Sequence, residues 1–152
     1  MKNEEELKLE KLDSDCHKWR IRVEDLLRKK EYEESIKSFQ CYVDKVKQMN
    51  ELREVMFSKF DGRGKWNSLD YCYSHELGNN VAELIRGMTI HLNHSSNFEQ
   101  SVSWELKDCK SLEEFKGKFK LYYENEEFLN SKGIDMLLSD SEIEDRIKIR
   151  NR

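Results

Sequence analysis

Proline is missing from all 152 residues, so nothing in the chain breaks a helix from within by removing a backbone donor. A long apolar stretch is missing too, since no run approaches the roughly 20 residues that a membrane span needs. Met1-Lys2-Asn3-Glu4 leads straight into a charged pattern without a signal-like apolar region, so a cytoplasmic protein that does not enter a membrane is expected. The four cysteines, Cys16, Cys41, Cys72 and Cys109, are widely scattered. That spacing argues for reduced, packed thiols rather than a disulfide framework. No glycine-rich phosphate loop occurs: Gly62-Arg63-Gly64-Lys65 is too short and follows a helical pattern rather than a strand.

What remains is highly charged (38%) and sparingly apolar (37%), a balance suited to long helices with water on one side. The length fits a single helical domain over residues 1–152. The formal charge of −4 gives no global preference for nucleic acid, which calls for clustered cations. Local candidates are Arg20 with Arg22, Arg28-Lys29-Lys30, Arg63 with Lys65, and the tail residues Arg146, Lys148, Arg150 and Arg152.

Over residues 4–30, Leu12, Cys16, Trp19, Val23 and Leu26 alternate steps of four and three, one stripe of a packed helix. After a polar break at Lys29-Lys30-Glu31, a second helix is predicted over residues 32–60. Ile36, Phe39, Val43, Val46, Asn50, Phe57 and Phe60 share its face, and Tyr42, Met49, Leu52, Val55 and Met56 widen it. The glycines of Asp61-Gly62-Arg63-Gly64 end this helix. Ser68 or Asp70 then caps a third, on which Tyr73, Leu77, Val81, Leu84, Met88 and His91 form the packed stripe. Gly78 and Gly87 each weaken it by about 1 kcal/mol relative to alanine.

Past residue 97 the period changes: Phe98, Val102, Trp104 and Leu106 fall between Glu99, Ser101, Ser103 and Glu105 on the two-residue repeat of a strand. The tail at 143–149 is a pairing partner for it, or else a helix starting near Ser141. Ser111-Leu112-Glu113-Glu114 has the form of a capping box. It opens a helix with Leu112, Phe115, Phe119, Tyr122 and Leu129 on one face, ending near Lys132-Gly133. The expected architecture is therefore mainly α: an antiparallel bundle of four to five helices with a small β element near 98–106.

The chemistry-bearing residues concentrate at the end of the third helix. Arg86-Gly87-Met88-Thr89-Ile90-His91 places an arginine, four residues and a histidine together, with Asn93 and His94 just beyond. The pattern resembles the HEPN family, whose signature is Arg, four to six residues, His. The likeness in architecture covers residues 32–129. It implies a dimeric helical bundle acting on RNA without a metal or other cofactor, as in toxins, abortive-infection systems and CRISPR-associated nucleases, with Arg86 and His91 catalytic. Gly87 departs from the Asn, Asp or His often found after the arginine. A homodimer, RNA, or a protein partner such as an antitoxin are the implied partners. His94, Asn93, Arg63 and Lys65 are the candidate binding residues.

The chemistry that the resemblance implies is intelligible from the residue types. Cleavage of RNA by its own 2′-hydroxyl needs a proton carrier near neutral pH, the role of an imidazole, and a fixed cation for the phosphorane oxygens, the role of a guanidinium. Positions five apart diverge by roughly 140° around a helix at ~100° per residue. Convergence within one chain thus requires a distortion near Gly87, whereas two chains related by a two-fold axis meet without one. By helical phase His91 lies toward the packed stripe and Arg86 away from it. Cys72, His75, His91 and His94 form an alternative set with zinc-ligand chemistry. Its two pairs would sit more than roughly 20 Å apart on an unbroken helix at ~1.5 Å per residue. The competing function is a non-catalytic helical interaction module, an inhibitor or adaptor.

Overall fold

Helices form where the apolar spacing places them in the first half of the chain: α1 is Glu4–Arg28, α2 Tyr32–Lys59 and α3 Lys65–Asn93. Five shorter helices follow, α4 Phe98–Asp108, α5 Leu112–Lys118, α6 Lys120–Glu124, α7 Glu126–Ser131 and α8 Asp140–Arg150. The computed structural model describes the backbone of residues 3–59 and 65–150 and the side chains of residues 3–56 and 76–150. Among them there is no strand, and no helix is long and apolar enough to cross a membrane. The loop expected at Asp61-Gly62-Arg63-Gly64 lies outside the described residues. The third helix already starts at Lys65, ahead of the expected caps Ser68 and Asp70.

Two compact units, Met1–Leu77 and Gly78–Arg152, divide the chain. In the first, Asn3 caps α1 by accepting the Glu6 backbone N–H at 2.8 Å, with Glu4, Glu5 and Glu6 at the positive end of the helix dipole. The N–H groups of Lys30 and Glu31 bond the carbonyls of Leu27 and Leu26, with Lys30 left-handed at φ 61°; this is the Schellman ending. Across the hairpin, Asp15 faces Lys45 at 3.9 Å, Arg22 donates to Ser38 at 3.2 Å, and the Ser35 hydroxyl donates to the Val23 carbonyl at 3.3 Å. One number falls as the other rises, so α1 and α2 run antiparallel. Leu12, Cys16, Val23, Leu26 and Leu27 are buried on α1, and Phe39, Tyr42, Val43, Val46 and Met49 on α2. Each contributes about 1.5–3 kcal/mol as a fully buried large side chain, less for cysteine.

The second unit has a core of Phe98, Leu106, Cys109, Phe115, Phe119, Ile143 and Ile147, flanked by Val102, Leu112, Tyr123, Met136 and Leu137. Phe119 packs edge-on to Phe98 at 6.0 Å and tilted on Phe115 at 4.8 Å between ring centres. The β element expected near 98–106 is a helix instead. Asn97 accepts the Gln100 N–H at 2.8 Å, and the Gln100 side chain accepts from Ser96 N–H at 2.7 Å, a helix start that outweighs the alternation. The buried face follows Phe98, Ser101, Val102, Leu106 and Cys109, the 3.6-residue period. Ser101, read as outward, is fully buried, and Trp104, read as inward, is 39% exposed.

Ser111 caps α5 as expected, accepting from Glu114 N–H at 3.1 Å, while the Glu114 carboxylate accepts from Lys110 N–H at 3.0 Å. The single helix predicted from there to residue 132 is divided at Phe119 and Asn125, both with φ −116°. Each joint closes with i→i−3 bonds, Phe119 to Lys116 and Asn125 to Tyr122, and the Asn125 amide also donates to the Leu121 carbonyl at 2.8 Å. Among the described residues there are thus eight helices rather than the four or five expected, and the chain is mainly helical. The tail is a helix, with Ser139 accepting the Glu142 N–H at 3.3 Å.

Candidate functional site

The end of α3 is built on a buried stripe of Leu77, Val81, Leu84, Ile85 and Met88, joined by Ala82 and Thr89. Thr89 places its hydroxyl inside the helix, donating to the Ile85 carbonyl at 2.7 Å, and so keeps a polar side chain satisfied where water is excluded. Arg86 sits half-buried beside the stripe, Asn93 is half-buried, and His91 and His94 are exposed. His91 is therefore not part of the packed stripe as its phase implies. Leu92 beside it is also exposed, because the buried stripe ends one turn before the helix does.

The backbone stays helical from Lys65 through Asn93, with no break at Gly87. Arg86 and His91 consequently leave α3 in directions roughly 140° apart, and one copy of the helix does not aim both at one atom. Immediately afterwards the chain turns. The N–H of Ser95 reaches the Ile90 carbonyl at 3.1 Å and that of His94 the His91 carbonyl at 3.4 Å, the paired bonds of a Schellman motif. His94 occupies its left-handed position at φ 54°, a place usually taken by glycine or asparagine. The Ser95 and Ser101 hydroxyls share a short hydrogen bond, which ties this turn to α4.

His91, Asn93 and His94 thus cluster at one helix end, with Arg86 one and a half turns earlier. Arg63 and the Lys65 side chain lie outside the described residues, as do the side chains of Cys72 and His75 of the alternative metal set. Among the described residues no group of three or more histidine, cysteine or acidic side chains is arranged to hold a metal. His94 has left the helix that carries His91, so the two imidazoles do not share a helical face.

In two of the basic clusters read from the sequence some of the cations are paired. Arg20 pairs with Glu24, and Arg28 and Lys29 both pair with Asp25, whose carboxyl is held below its usual range chiefly by Lys29. Cys16, Cys41 and Cys109 are free thiols. Burial pushes the Cys16 thiol up to about 11, helped by Asp13 and Asp15, and the Cys109 thiol likewise, helped by Glu105 and Glu114. Neither is a nucleophile near neutral pH. Sequence reasoning missed the Schellman turn at His94, whose only signal is the polar run Asn93-His94-Ser95-Ser96-Asn97 after the last apolar residue. No family model, no curated protein and no solved structure matches this chain.

Proposed function

We propose that the chain is a HEPN-like RNA-binding protein or metal-independent endoribonuclease that acts as a homodimer through Arg86 and His91, and the catalytic form is the one argued. The observation that carries the reading is the exposure of His91 on the last turn of α3, where a packed core histidine would have been inaccessible to substrate. The unbroken helix supports a two-chain site, in which the guanidinium of one copy and the imidazole of the other meet at one phosphate. His91 takes the 2′-hydroxyl proton, the 2′-oxygen attacks phosphorus, and the 5′-oxygen leaves and takes a proton from water, the imidazolium then returning its own proton to solvent. Arg86 holds the charge gathering on the non-bridging oxygens. The products are a 2′,3′-cyclic phosphate and a 5′-hydroxyl end. His94 and Asn93 offer polar contacts to the neighbouring strand.

Purified protein incubated with mixed RNA and chelator tests this. His91→Ala is expected to slow cleavage by about 10²–10⁴-fold and Arg86→Ala by about 10²–10³-fold. Mixing the two inactive variants restores activity, because a mixed dimer retains one intact Arg–His pair. Wild-type protein that cuts no RNA, or variants that cut undiminished, would sink the proposal. The second reading, a non-catalytic interaction module, is favoured by an apolar groove beside α4 that Arg86 and His91 do not line. Absence of cleavage with retained self-association points to it.

A further inference from the structure

A groove of about 350 Å³ runs between the start of α4 and the segment joining α7 to α8. Phe98, Val102, Met136, Leu137 and Leu138 make it apolar, and Glu99 and Asp135 stand along it. Both carboxylates are exposed, and neither forms an ion pair among the described residues. At the small end of ligand sites, ~300–1,000 Å³, the groove has room for a side chain or two. The wall from Ile134 onward is fixed in place. The Ile134 N–H bonds the Leu129 carbonyl at 3.0 Å, and the Ile134 side chain crowds Gly78.

The chain carries a segment of matching chemistry. Ile149 is 64% exposed, more than any other large apolar side chain described, and it stands between two exposed cations, Lys148 and Arg150. An apolar side chain flanked by two positive charges complements an apolar groove bordered by two negative ones. Ile149 does not reach the groove of its own chain. Buried Ile143 and Ile147 pin α8 to the core that Phe98 and Val102 also join, and Ile149 is not among the residues that line the groove.

We propose that this groove binds the end of α8 from a second copy of the chain, with Ile149 inserted and Lys148 and Arg150 meeting Glu99 and Asp135. Exchanged reciprocally about a two-fold axis, the contact closes as a dimer. It stands on residues other than Arg86 and His91, and goes beyond the RNA reading.

Sedimentation of the whole protein over a wide concentration range, without RNA, tests it. Wild type is expected to self-associate reversibly. Ile149→Asp, Glu99→Lys with Asp135→Lys, and Lys148→Glu with Arg150→Glu are each expected to weaken association about tenfold or more. All five positions are exposed, so thermal melting should stay near wild type. The decisive arm mixes the two charge-reversed proteins: both contacts of a mixed pair are complementary while each protein alone repels itself, so mixing restores the dimer. Wild type that stays monomeric, Ile149→Asp that associates normally, or reversed proteins that fail to pair when mixed overturns the proposal. The ribonuclease reading also needs a dimer, so wild type that stays monomeric overturns both readings, whereas wild type that associates but ignores Ile149→Asp and the charge reversals overturns this interface alone.

Discussion

The turn after α7 and the turn after α3 share one backbone and are built from opposite choices of residue. After α7 the N–H groups of Gly133 and Ile134 bond the carbonyls of Asn130 and Leu129, and the left-handed position is Gly133 at φ 75°. After α3 the same two bonds form around His94 at φ 54°. Glycine is also used differently on the α3 helix. A Cβ on Gly78 would come within 2.8 Å of the Lys132 Cβ and 2.9 Å of the Ile134 Cδ1, whereas one on Gly87 meets nothing within 4 Å. Where packing demands a glycine, at Gly78, or left-handed backbone favours one, at Gly133, the chain has one. Next to the candidate site it places a glycine where none is needed and a histidine where glycine is easier. Departures from local optimality of this kind gather at functional positions.

The comparison breaks first at its tight end. Gly78→Ala is expected to lower unfolding stability by about 1–3 kcal/mol, since the obstructing Lys132 Cβ is held close to its own backbone and cannot swing aside. Gly133→Ala should follow at about 1–2 kcal/mol, the cost of a Cβ in left-handed backbone. Urea unfolding measures both, and wild-type midpoints in either variant would show that this seat is looser than its distances imply.

His94→Gly is expected to change stability in the opposite sense, raising it by about 1 kcal/mol as the left-handed strain is relieved. Lys30→Gly at the end of α1, where Lys30 is left-handed at φ 61°, is the control with a similar gain and no link to the candidate site. If His94 contacts RNA, His94→Gly weakens RNA binding in a filter or fluorescence assay while Lys30→Gly does not. Equal RNA affinity in all three proteins would reduce His94 to a mere turn residue.

Long helices with steps of four and three were legible in the sequence: α1 and α2 end within two residues of the positions their stripes imply, and Ser111 marks the start of α5. The turn of α1 into α2 was legible as a polar break. The second unit was harder, because its helices are short and their starts are set by side-chain caps rather than long periodicity. Asn97 with Gln100 and Ser139 with Glu142 carry the same three-residue signature as Ser111 with Glu114. Weighed against the alternation over 98–106, the Asn97 cap would have turned the expected strand into α4. The joints at Phe119 and Asn125 were not legible, since Phe115, Phe119, Tyr122 and Leu129 suit one continuous face equally well. For the candidate site, spacing identified Arg86 and His91 but misjudged burial, because a helical wheel does not say where the covering surface stops.

Gly87→Ala is the smallest effect expected and the sharpest control on the contrast. With open space around it, the new methyl adds only helix propensity, so stability should rise by up to about 1 kcal/mol. Gly78→Ala, nine residues earlier on the same helix, gains the same propensity and still falls, so the difference between the two variants isolates the crowding at Lys132 and Ile134. Gly87→Ala also bears on the ribonuclease reading. If Arg86 and His91 act from a straight α3 in two different copies, stiffening the helix between them leaves RNA cleavage within about twofold. If instead one copy bends at Gly87 to bring both side chains together, cleavage falls sharply while stability rises, and a single-chain site takes the place of the two-chain one.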